Sequence, residues 1–147
     1  PNLKNLESLF LDSNPIGPEG ARAVACTEQL PNLQALHLDS TKIGDDGTQA
    51  IAEGSYFTGL KKLYLCSNKM GDAGAIALAN SESLKNLNVL SVWRNEIRDE
   101  GGKAIAVSKT FMNLERLYMS LNLFERPVRK IIRGSELAKR LTTLVMD

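Results

Sequence analysis

The leucines of this chain fall on a ruler. Leu6, Leu33, Leu60, Leu87 and Leu114 stand 27 residues apart, and so do Leu9, Leu36, Leu63, Leu90 and Leu117. A third apolar column holds Leu11, Leu38, Leu65, Val92 and Met119, and a fourth holds Ile16, Ile43, Met70, Ile97 and Phe124. A polar column runs between them: Asn14, Thr41, Asn68, Asn95 and Asn122. Self-similarity at such a period predicts stacked units, each too small to bury its own apolar face. Within each unit the x-L-x-L piece alternates with period 2, which predicts a short strand with one buried face. Asparagine carries donors and an acceptor on a short stem, so it suits a place where the chain turns inward and exposes backbone groups. Thr41 has one donor and less reach, so the second unit is expected to be slightly looser there.

The second half of each unit reads as helix. It opens with Gly17-Pro-Glu-Gly-Ala in the first unit and Gly44-Asp45-Asp46-Gly47 in the second. Gly71-Asp72-Ala73-Gly74 and Arg98-Asp99-Glu100-Gly101 follow in the third and fourth. Asp45, Asp72 and Asp99 occupy the place of a helix N-cap. The small apolar pairs Ala23/Val24, Ala50/Ile51, Ala77/Leu78 and Ala104/Ile105 let a helix lie close against its strand. The helices are expected to end near Leu30, Phe57, Leu84 and Phe111, and Leu3 fits the start of that column. The fifth unit departs: Phe124-Glu125-Arg126-Pro127-Val128 replaces the glycine-bearing turn, and the step from Leu114 to Leu144 measures 30 residues. This predicts an atypical capping unit with an apolar face of Val128, Ile131 and Ile132, closed by a strand near Leu141–Met146. The expected layout is one domain, 1–147, with repeats at about 6–32, 33–59, 60–86, 87–113 and 114–143 and a terminal strand at 144–147. No comparable cap opens the chain and its first residue is Pro1, so a fragment or processed product is expected.

The unit L-x-x-L-x-L-x-x-N-x-I is the leucine-rich-repeat pattern. Its full form, seen in Leu60-Lys-Lys-Leu63-Tyr-Leu65-Cys-Ser-Asn68-Lys-Met70-Gly-Asp-Ala-Gly74-Ala-Ile-Ala-Leu-Ala79, resembles the ribonuclease-inhibitor-like subfamily over about residues 3–124. That subfamily includes cytosolic inhibitors, innate-immune sensors and bacterial effector proteins. The resemblance implies an α/β solenoid: a right-handed horseshoe with a parallel β-sheet on the concave face and helices on the convex face. It implies a protein-binding module, with inhibition or scaffolding of an enzyme as the concrete form, working in the cytoplasm or delivered into a host cytoplasm as an effector.

If the leucines point in, the residues between them point to the concave surface in three rows. These are Ser8, Ala35, Lys62, Val89 and Arg116; then Phe10, His37, Tyr64, Ser91 and Tyr118; then Asp12, Asp39, Cys66, Trp93 and Ser120. The chain has four Phe, three Tyr and one Trp, and Phe10, Tyr64, Trp93 and Tyr118 all fall in these slots, as does His37, the sole histidine. Aromatics held in solvent forgo burial unless something covers them, and Tyr, Trp and Arg dominate binding hot spots. The competing reading is that they pack on one another across strands. Charge divides the face, with Asp12 and Asp39 toward one end and Lys62, Arg94 and Arg116 toward the other. A partner protein is expected to present the complementary split.

Composition narrows the alternatives. A net charge of +1 gives no bulk attraction to nucleic acid, and no apolar run nears the ~20 residues of a membrane span. Two cysteines are too few for a disulfide framework and suit a reducing compartment; a Cys26–Cys66 bridge is not expected, because Cys26 lies in a helical half. His37, Asp39 and Cys66 share a face, which raises a Cys/His enzyme, but no oxyanion hole or deep pocket accompanies them, so no catalytic residue and no cofactor is expected. Asp12, Asp39 and His37 on a flat sheet lack closed metal coordination. Around the fifth helix, Arg126, Arg129, Lys130, Arg133, Lys139 and Arg140 against Glu136 leave residues 126–140 at +5 and the rest at −4. That face would suit nucleic acid or an acidic surface; without interleaved aromatics it reads as a solvated cap.

Overall fold

A computed structural model describes residues 3–147; Pro1, on which the expected truncation rests, and Asn2 lie outside the described residues. Strands and helices alternate along the chain: β1 (Ser8–Phe10), α1 (Gly17–Ala25), β2 (Ala35–His37), α2 (Gly44–Glu53), β3 (Lys62–Tyr64), α3 (Asp72–Ala79) and β4 (Val89–Ser91). Then come α4 (Asp99–Ala106), β5 (Arg116–Tyr118), α5 (Arg126–Gly134), α6 (Glu136–Arg140) and β6 (Thr143–Val145). The strands form one parallel sheet in sequence order, and each helix packs on the next. This is an open α/β leucine-rich-repeat solenoid.

The columns become ladders. Leu9, Leu36, Leu63, Leu90, Leu117 and Leu144 pair in register across the sheet. Leu36, Leu63, Leu90 and Leu117 are wholly buried, as are Leu60, Leu65, Met70 and Ile97. Each such side chain contributes ~1.5–3 kcal/mol relative to exposure. Leu144 lies opposite Leu117, 27 residues on, so the last turn keeps the period. The 30-residue step counted from Leu114 therefore compares two different columns; the counterpart of Leu114 is the half-buried Leu141.

The polar columns stitch repeats together. Asn95 Oδ1 accepts from the amides of Asn68 (2.9 Å) and Met70 (3.1 Å) in the preceding repeat, while its Nδ2 donates to the carbonyls of Leu65 and Val92. Asn68 serves Thr41 and Leu38 in the same manner. The looseness expected at Thr41 falls elsewhere. Thr41 is fully buried, its hydroxyl donating to the Leu38 carbonyl at 2.6 Å. What is missing is an amide oxygen for the repeat before it: the amides of Asn14 and Ile16 instead bond within their own turn, to the carbonyls of Leu11 and Asn14.

Asp45, Asp72 and Asp99 do not cap their own helices, as their position in the sequence suggests. Each sits inside the first turn, and its carboxylate reaches the next repeat. Asp45 Oδ1 accepts from the amides of Gly71 (2.9 Å) and Gly74 (2.7 Å), ahead of and inside α3. Asp72 Oδ1 accepts from Arg98 and Gly101 at 2.8 Å each, at the start of α4, and Asp99 Oδ1 from Glu125 ahead of α5. This closeness explains one glycine: a Cβ on Gly101 would lie 2.6 Å from Asp72 Oδ1. The helices also stop earlier than Leu30, Phe57, Leu84 and Phe111, which are buried in the turns that follow. Hydroxyls of the next repeat meet the ends of α2 and α3: Ser81 Oγ donates to the Ala52 carbonyl (2.5 Å) and Ser108 Oγ to that of Ala79 (2.6 Å). Ser135 holds the same column, but it caps α6 by accepting from the Ala138 amide, and this marks the terminal unit.

Candidate protein-binding surface

The residues between the leucines share one side of the sheet. Register places Phe10, His37, Tyr64, Ser91 and Tyr118 in one row and Lys62, Val89 and Arg116 in another. Phe10 is 65% exposed, Trp93 is 38% exposed, and Lys62, Arg94 and Arg116 are exposed as well. His37, Tyr64, Tyr118, Asp12, Asp39 and Cys66 are half-buried.

Rings in the first three slots support one another. Phe10 stacks on His37 with centroids 4.0 Å apart, and His37 stacks on Tyr64 at 4.3 Å. Cross-strand packing thus operates at this end of the row, while the outer face of Phe10 stays open. The row is interrupted at Ser91, which is buried between two tyrosine-bearing strands. Burial, with Tyr118 close by, raises the pKa of Tyr64, so its phenol stays a hydrogen-bond donor.

The two aspartates are partly spent on the fold. Asp12 Oδ1 accepts from the Asp39 amide and Asp39 Oδ1 from the Cys66 amide, both at 2.7 Å. Lys62 and Arg116 enter no ion pair among the described residues, where the three pairs are Lys85–Glu82, Lys103–Glu100 and Lys139–Glu136. Arg94 sits just past β4 with φ of 55°, in a left-handed column shared with Ser13, Ser40, Ser67 and Leu121.

Cys66 Sγ lies 3.0 Å from Ser91 Oγ, and burial pushes its thiol up to about 11. A thiol so placed is protonated near neutrality and a poor nucleophile. Cys26 and Cys66 are both free.

A hollow of about 310 Å³ opens on this side. Val89 lies in it, with Lys62 and Tyr64 on one neighbouring strand and Arg116 and Tyr118 on the other; Asn88 and Glu115 complete the lining. Sequence alone singles out the four large residues as binding candidates and leaves Val89 as a row member only. Its small size beside two long cationic side chains is the signal that could have found the hollow. A second hollow, about 790 Å³, lies among the helices, where alanine-rich α3 leaves space beside α2. Its rim carboxylates Glu53 and Glu82 are engaged by Gln49 and Lys85.

Two arginines of the basic helix α5, the half-buried Arg129 and the exposed Arg133, bond backbone carbonyls. Arg129 Nε donates to the Phe124 carbonyl and Arg133 Nη2 to that of Met146, closing the end of the stack. No helix among the described residues is long and apolar enough to cross a membrane.

The family described as Leucine Rich repeat matches residues 2–25, 29–52, 59–79 and 83–106. No curated protein matches the sequence. Among solved structures, the crystal structure of a Bacteroides fragilis protein superposes with a TM-score of 0.67 at 19% identity, a likeness of fold. The alignment covers 98% of this chain and 41% of that one, so the chain spans less than half the length of its structural neighbour.

Proposed function

The chain belongs to the leucine-rich repeat family, and from that premise we propose that it seats a partner protein on the side of its sheet bearing Phe10, His37, Tyr64, Trp93 and Tyr118. Leucine-rich repeats are in general protein–protein interaction modules rather than enzymes. The observation that carries the choice of face is the exposure of Phe10 and Trp93 beside Lys62 and Arg116, which have no ion-pair partner among the described residues. Large rings and cations held open on a rigid sheet have little order left to lose when a partner covers them.

The repeat form, which resembles the ribonuclease-inhibitor-like subfamily, supports a finer version. The partner is an enzyme that the chain occludes or scaffolds, in the cytoplasm or, for a bacterial effector, in the cytoplasm of a host cell. The free thiols Cys26 and Cys66 agree with a reducing compartment. The protonated thiol of Cys66 speaks against the Cys/His enzyme, and the use of Arg129 and Arg133 N–H groups in closing the last unit, with no aromatic between the charges of α5, speaks against a nucleic-acid face there.

The test is a paired affinity capture from source lysate, with wild type and a Tyr64→Ala/Trp93→Ala/Tyr118→Ala variant as baits. Circular dichroism checks the variant first, because Tyr64 also carries a ring stack. A protein held by wild type and lost by the folded variant supports this reading. Equal capture by both overturns it.

A further inference from the structure

We infer that the hollow along β4 receives a single carboxylate side chain of the partner, seated over Val89 between Lys62 and Arg116 and met by the hydroxyls of Tyr64 and Tyr118. The inference rests on the proposed use of this face and names the chemistry at its centre.

Register creates the hollow. On β4 the two residues facing this side are Val89 and Ser91, both small and both buried. Opposite them stand Lys62 and Tyr64 on β3, and Arg116 and Tyr118 on β5. Two strand spacings, about 9.6 Å, separate the flanking backbones. Long side chains can converge across that gap on one group, while short ones at β4 leave it empty. The result is about 310 Å³ lined by two cations and two phenols.

Charge selects the occupant. Lys62 and Arg116 bring two positive charges and are in no ion pair among the described residues. The Tyr64 phenol keeps its proton, so it donates rather than repels. Glu115 also lines the hollow, and its negative charge limits what the two cations can hold. One monoanion balances the set, whereas a phosphorylated side chain near −2 would meet more repulsion from Glu115. Asn88 Nδ2 gives one of its two N–H groups to the Asn113 carbonyl at 3.3 Å, so the cations and phenols supply most of the free donors.

The test is an NMR titration of the chain with the capped tripeptides Ac-Gly-Glu-Gly-NH2, Ac-Gly-Gln-Gly-NH2 and Ac-Gly-phosphoserine-Gly-NH2. The readouts are the Val89 methyls and the rings of Tyr64 and Tyr118. The glutamate peptide is expected to shift these signals, with the glutamine peptide at least about five-fold weaker and added salt weakening the response. Arg116→Gln, a surface change that leaves the core intact, is expected to weaken glutamate binding by about five- to ten-fold. Equal response to the glutamine peptide, shifts centred on α5, or tighter binding of the phosphoserine peptide would each overturn the inference. Capture of the partner separates this failure from that of the wider reading. If Lys62→Gln/Arg116→Gln retains a partner that the triple aromatic variant loses, the face stands and the carboxylate seat falls. If both variants retain it, both fall.

Discussion

The first and third repeats carry the same letters and live in different surroundings. Leu60, Leu63, Leu65 and Met70 are wholly buried, while Leu6, Leu9, Leu11 and Ile16 are only partly so. Asn68 holds the amides of Thr41 and Ile43 in the repeat before it and is buried; the Asn14 side chain is exposed and bonds only the carbonyls of Leu11 and Asp12. The difference teaches that a side chain's contribution here is set by its neighbours along the stack rather than by its own repeat.

Truncating a leucine should show this most strongly. Leu63→Ala opens a cavity in the middle of the sheet and is expected to cost ~2–5 kcal/mol; Leu9→Ala should cost roughly half as much, measured as denaturant midpoints. Equal losses would break the comparison. Next comes Asn95→Ala, which strands the amides of Asn68 and Met70 and is expected to cost ~2–4 kcal/mol, against under ~1 kcal/mol for Asn14→Ala.

Asp72→Ala sharpens the point by asking which helix suffers. A loss of ~1–2 kcal/mol is expected, with hydrogen exchange accelerated at Gly101 in α4 rather than in α3, where the aspartate resides. Faster exchange confined to α3 would return the aspartate to its own helix. The smallest effect is a gain. Leu121 adopts a φ of 55° where the first three repeats place serine, so Leu121→Asn is expected to add up to ~1 kcal/mol of stability, read as a higher melting midpoint.

The columns made strands, order and buried face legible, because period-2 alternation and a fixed repeat admit one stacking register. They did not reveal who bonds to whom. Asp72 looks like an N-cap from its place at the start of α3, and only the lateral closeness of α4 turns it outward. Sequence alone leaves the column of Leu144 open, because Leu141, Leu144 and Met146 crowd the last turn and only strand pairing separates them. On the proposed binding face the rows are readable from sequence, and the stacking of Phe10, His37 and Tyr64 is one of two options on offer. The hollow at Val89 is not legible there, since it depends on the length of side chains one strand away.

The stitching bonds run both ways along the stack. Aspartates reach forward to the next helix, and asparagines reach back to the previous turn, over separations of 25–30 residues. A block cut out or copied from the inner repeats in whole multiples of 27 residues keeps its aspartates and asparagines in register with the amides they meet. A block of any other length delivers an aspartate to the wrong amide. Duplication in whole 27-residue steps therefore preserves the hydrogen bonds that run along the stack.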